Sequence, residues 1–129
     1  MSVHIRYATL YVTDQKRSLD FYTKVLGFEK RRDEPMGPDQ RWIEVAPPGS
    51  DTTVLLYKPS DAMPGAANLA EARARMGGFS GIGLHADDIR ALFATLRSHG
   101  ARIIEEPNEQ PWGWQGIFAD PDGNQFVVV

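Results

Sequence analysis

No cysteine occurs among the 129 residues. That removes disulfides, thiolate zinc sites and thiol nucleophiles together, and it fits a reducing compartment, so a cytoplasmic protein is expected. Long apolar runs are missing as well. None approaches the ~20 residues that span a bilayer, and Met1–Val12 lacks the apolar core of a signal peptide. No membrane partner is implied. Positive charge is not in excess either: the net charge is −3, which builds no basic face for a phosphate backbone and excludes nucleic acid as a partner. There is no HExxH, P-loop or dinucleotide fingerprint. Gly77-Gly78-Phe79-Ser80-Gly81 is not a nucleophile elbow, and Asp120-Pro121-Asp122-Gly123-Asn124 lacks the glycine at the sixth position of a calcium loop.

What remains is ordinary globular composition, 42% hydrophobic and 24% charged, in a length suited to one domain. The informative pattern is an internal repeat. Leu10-Tyr11-Val12-Thr13-Asp14 aligns with Leu84-His85-Ala86-Asp87-Asp88, and a helical stretch follows each. After a one-residue gap Gly27 meets Gly100. Glu34-Pro35 then meets Glu106-Pro107, Trp42 meets Trp114, and Thr53-Val54-Leu55-Leu56 meets Gln125-Phe126-Val127-Val128.

Each copy reads physically in the same way. Residues 5–12 alternate and are rich in β-branched and aromatic side chains, as a half-buried strand should be. Asp14 is a good helix N-cap. Leu19, Tyr22, Val25 and Leu26 then recur at helical spacing before Gly27 ends the helix. Ile89, Leu92, Phe93 and Leu96 make the matching stripe ahead of Gly100. Strands are expected at 28–33, 41–46 and 52–57, and again at 101–106, 114–119 and 125–129. The prediction is an α+β protein of two tandem βαβββ modules, about 1–58 and 81–129. They are joined by a connection, 59–80, with a short helix from Ala67 to Met76. The strands are expected to form a cupped mixed sheet with the helices on its outer face.

The opening Val12-Thr13-Asp14, followed by Arg17-Ser18-Leu19-Asp20-Phe21-Tyr22 and by Leu26-Gly27-Phe28, resembles the start of a glyoxalase/bleomycin-resistance protein. Asp120-Pro121-Asp122-Gly123-Asn124 resembles that family's closing hairpin. The resemblance spans nearly the whole chain and points to the vicinal-oxygen-chelate superfamily, which includes extradiol dioxygenases. It implies a cup around a small organic ligand, and a homodimer that covers exposed sheet edges. In metal-dependent members each module gives one ligand from its first strand and one from its last. Aligned on the opening motif, those positions are Tyr7 and Gly81, then Leu56 and Val128. Leu, Val and Gly carry no side-chain donor for a divalent cation, so no metal or other cofactor is expected.

Tyr7, and on its face Tyr11 and His85, are the candidate proton-transfer groups. Trp42, Trp112 and Trp114 offer flat apolar area with one N–H donor each. Gly81 and Gly83 leave room for a ligand against a strand. Together with Tyr7, Leu56, His85 and Val128 they make up the expected ligand-binding set. His4, Glu44 and His85 are the residual donors for a displaced metal. The expected function is binding of a small aromatic or drug-like molecule. One alternative is a lyase, isomerase or dioxygenase of the same superfamily, metal-free or with a displaced metal site. Another is a non-catalytic interaction module.

Overall fold

A computed structural model describes residues 1–60 and 69–129. The chain divides into two units, Met1–Met76 and Gly77–Val129. Each holds its own four-stranded mixed sheet, so the architecture is α+β with the βαβββ unit written twice.

The first unit begins with β1 (Tyr7–Tyr11) and helix α1 (Gln15–Asp20), which runs into a π-helical turn at Phe21–Val25. Strands β2 (Glu29–Pro35), β3 (Arg41–Ala46) and β4 (Thr53–Tyr57) follow, and the sheet order is β1-β4-β3-β2. The outer pair β1–β4 is parallel, with Tyr7 opposite Thr53, Leu10 opposite Leu56 and Tyr11 opposite Tyr57. Asp14 caps α1 by accepting from the Arg17 backbone N–H at 3.0 Å. The core under the helix is Leu10, Val12, Tyr22, Ile43, Val45 and Leu56, all almost wholly buried. Past Tyr57, α2 covers Leu69–Ala74. The first two residues of the expected Ala67–Met76 helix lie outside the described residues.

The second unit repeats the plan with β5 (Gly78–Leu84), α3 (Ile89–Ser98), β6 (Arg102–Gln110), β7 (Gly113–Ala119) and β8 (Asn124–Val128). The order is β5-β8-β7-β6, again with the first and last strands parallel. β5 starts three residues earlier than the sequence places the module, inside the stretch read as connection. Asp88 caps α3 through the Ala91 N–H at 3.0 Å, as Asp14 does in the first unit. Phe93, Leu96, Phe118, Phe126 and Val128 form the core, with Phe118 and Phe126 stacked at 5.3 Å.

Two small departures from the repeat have structural causes. Asp14 and Gly27 are one residue further apart than Asp88 and Gly100. The extra residue is taken up by the π turn, where the Leu26 N–H reaches back five residues to the Phe21 carbonyl at 3.2 Å. The second departure moves a tryptophan. Ile43 pairs with Leu56 while Gly116 pairs with Val128, so Ile43 corresponds to Gly116 and Trp42 to Gln115. Trp114 therefore points with Gly116 and Phe118 toward α3, where the Arg90 guanidinium lies 4.2 Å from the indole centroid. The expected pairing of Trp42 with Trp114 is off by one, and a shift of one residue changes the face.

Candidate functional site

Strand pairing decides which side chains meet, because partners in register share a face. In the first sheet the face away from the Leu10–Ile43–Leu56 core carries Tyr7, Thr9 and Tyr11 from β1 and Thr53, Leu55 and Tyr57 from β4. β3 adds Glu44, opposite Leu55, together with Trp42, and β2 adds Arg32 and Glu34.

Glu44 is the centre of this group. It is 2% exposed, and both carboxylate oxygens are used. The Thr53 hydroxyl donates to Oε1 at 2.6 Å. The Trp42 indole N–H donates to Oε2 at 2.6 Å, with the Arg6 guanidinium at 3.3 Å and Arg32 at 4.0 Å. Burial raises its affinity for a proton, but the hydrogen bonds from Thr53 and Trp42 and the charges of Arg6 and Arg32 outweigh that. The carboxyl is held below the usual glutamate range. Glu44 is therefore ionised at neutral pH in a nearly dry position.

The indole that Glu44 holds is edge-on to two phenol rings. Trp42 meets Tyr7 at 5.5 Å between centroids with planes at 89°, and Tyr57 at 6.4 Å with planes at 90°. Tyr7 is 40% exposed and Tyr57 7%, so a wet and a dry ring flank one indole. Burial, and then the neighbouring Tyr11 and Tyr7, raise the pKa of Tyr57, which keeps its phenol neutral. The arrangement offers flat apolar surface with polar edges.

The remaining sequence candidates are placed elsewhere. Leu56 sits with Leu10 and Ile43 on the helix side, fully buried, and not on the Tyr7 face. Val128 sits with Leu84 and Gly116 on the helix side of the second sheet. The reason is register: Tyr7 pairs with Thr53, so the same-face positions of β4 are Thr53, Leu55 and Tyr57. Gly81 has φ +78° inside an irregularity of β5 between Phe79 and Gly83, and Gly83 pairs with Val127. His85 lies just beyond β5, three-quarters exposed. One ring nitrogen is 3.0 Å from the Val129 carbonyl and the other 3.2 Å from Asp87. Trp112 is 66% exposed in the β6–β7 turn. The face of the second sheet that holds Gly83 presents amides, with the Glu105 carboxylate accepting from Asn108 at 2.6 Å and Gln115 at 3.4 Å.

Arg6, Thr53 and Tyr57 are the contributors that sequence reasoning missed. Only Tyr57 had a local signal, a tyrosine at the end of an apolar strand. Its meeting with Tyr7 and Tyr11 depends on a parallel pairing that nothing local encodes. Among the described residues no group of three or more His, Asp or Glu side chains could hold a metal ion. Of the two carboxylates on the Tyr7 face, Glu44 accepts from Thr53, Trp42 and Arg6, and Glu34 is paired with Arg32. A separate groove of about 550 Å³ lies at the start of α1, lined by Lys16, Gln40, Arg41 and Lys58 among others. It contains none of the sequence candidates. No helix among the described residues is long and apolar enough to cross a membrane.

A family model described as the Glyoxalase/Bleomycin resistance protein/Dioxygenase superfamily matches residues 4–128. The chain is 32% identical over 128 residues to the uncharacterized protein YetH of Bacillus subtilis (strain 168), covering 99% of this chain and 98% of that one. Among solved structures, a member of the same superfamily from Sphaerobacter thermophilus DSM 20745 is 39% identical with a TM-score of 0.84, covering 99% and 97% of the two chains. TnmS3, described as an antibiotic binding protein from Streptomyces sp. CB03234, is 34% identical with a TM-score of 0.76, covering 98% and 94%.

Proposed function

Because the chain belongs to the Glyoxalase/Bleomycin resistance protein/Dioxygenase superfamily, we propose that it uses the Trp42 face to bind a small aromatic, drug-like molecule without a metal. The observation that carries this reading is the Tyr7–Trp42–Tyr57 arrangement beside the buried Glu44 carboxylate. The description of TnmS3 as antibiotic binding lends it support. The metal-free reading is supported by the side chains themselves, since both Glu44 oxygens already accept hydrogen bonds and Tyr7, Leu55 and Thr53 are poor donors. The enzymatic alternative draws no support from His85, which is exposed and engaged at both nitrogens. Homodimerisation belongs to the same reading: β1 is an edge strand, and the exposed Val3 and Ile5 precede it.

The test is a fluorescence titration with bleomycin and with a planar aromatic antibiotic such as daunorubicin. Binding at micromolar concentration with a change in tryptophan emission is expected, and Trp42→Ala is expected to weaken it at least about tenfold, as for a buried aromatic anchor. Binding that is unchanged in Trp42→Ala would remove the face from the account. Failure of every aromatic ligand to bind would remove the function.

A further inference from the structure

A carboxylate in this position is costly. Glu44 is 2% exposed, beside Trp42, Leu55 and Thr53, and an apolar side chain of similar size there is often neutral or stabilising. Packing alone therefore does not account for it. What Glu44 does, and a leucine could not, is hold three other side chains. Its Oε1 is fixed by the Thr53 hydroxyl, on the neighbouring strand. That leaves Oε2 aimed at the Trp42 N–H and the Arg6 guanidinium. An indole tethered at its one polar atom keeps a single rotamer, and here that rotamer stands at right angles to both Tyr7 and Tyr57.

We propose that Glu44 is a positioning residue, which sets Trp42 edge-on to Tyr7 and Tyr57 and steadies Arg6 beside it before any ligand arrives. The inference rests on the binding role given to the Trp42 face, and it explains how that face limits its ordering cost on binding. The half-exposed Arg6 has one N–H spent on Glu44. The other donors of its guanidinium suit the carbonyl, phenolate or carboxylate edge of an oxygenated aromatic ligand.

The experiment uses the full chain with Trp112→Phe and Trp114→Phe, so that Trp42 alone fluoresces. Its anisotropy and lifetime are read from pH 7 down to 3, alone and with daunorubicin, in this parent and in Glu44→Leu and Glu44→Gln. In the parent, Trp42 is expected to be rigid at pH 7 and to loosen as the carboxylate is protonated. Glu44→Gln, which keeps the shape and one acceptor oxygen, should hold Trp42 with no such step. Glu44→Leu should leave it loose at every pH and weaken daunorubicin binding about tenfold while still unfolding cooperatively. The charged and titratable groups sharing the face are Arg6, Tyr7 and Tyr11, Arg32 and Glu34, and Tyr57. Of these only Glu34 is a second carboxylate, and it is present in all three proteins. Trp42 emission identical in the three at every pH would overturn the inference. Absence of daunorubicin binding in the parent would count against the binding role instead, with the pH step of Trp42 still deciding what Glu44 does. If Glu44→Leu does not fold, the comparison of Glu44→Gln with the parent decides.

Discussion

The absence of a side chain at Gly116 is a packing requirement. A Cβ built there would lie 2.6 Å from the tip of the Phe93 ring, which no real contact allows. Gly116→Ala is therefore expected to cost about 1–3 kcal/mol by overpacking, read from urea denaturation. Adding Phe93→Leu should recover most of that, because the clash is with one ring and the two residues form a coupled pair. Residues whose role is set by near neighbours could be read from sequence. Asp14 is legible as a cap because a cap bonds to the backbone three residues on. Leu56 and Val128 are expected from sequence beside Tyr7 and Gly81 but face the helices, because their orientation depends on pairing with strands more than forty residues earlier in the chain.

At the scale of the element, the helices differ by one residue and the strands by their bulges. Deleting Thr23 should turn the π turn into an ordinary helical turn and leave Leu26, Gly27 and Phe28 where they are. A cost of about 1 kcal/mol or less is expected. Deleting Thr95 from α3, which has no spare residue, rotates everything after it by about 100° and takes the buried Leu96 off the core. That change should cost several times more, and the two thermal midpoints compare them directly. The one-residue gap was visible in the sequence, but not its form, because a π turn and a longer loop leave the same gap. The misassigned Trp114 has a similar origin: Gly116 is one residue nearer to its partner Val128 than Ile43 is to Leu56, and periodicity alone does not locate the missing residue.

For the whole molecule, pH links the buried site to stability. Glu44 has a lowered pKa in the folded protein. The stability it contributes is present above the unfolded carboxylate value and is lost as pH falls through the folded one. Tyr57 has a raised pKa, so its contribution is present below the unfolded tyrosine value and is lost as pH rises through the folded one. The urea midpoint should fall on both sides of neutrality, and Glu44→Gln should flatten the acid side only. The α+β class and the doubled βαβββ order were legible at this scale, since a repeat compares the chain with itself and needs no knowledge of contacts.

The parallel pairing of first with last strand also has a meaning for synthesis. β1 lies at the edge of its sheet and its hydrogen-bonding partner is β4. When the nascent chain has emerged from the ribosome as far as Ser50, strands β2 and β3 can already pair, but β1 has nothing to pair with. Tyr7 waits for Thr53 and Tyr11 for Tyr57, a delay of a few seconds at about 5–20 residues per second. Through that interval an apolar edge preceded by Val3 and Ile5 is open on the nascent chain. A translational pause is best tolerated once Lys58 has emerged and worst tolerated just before Thr53 does.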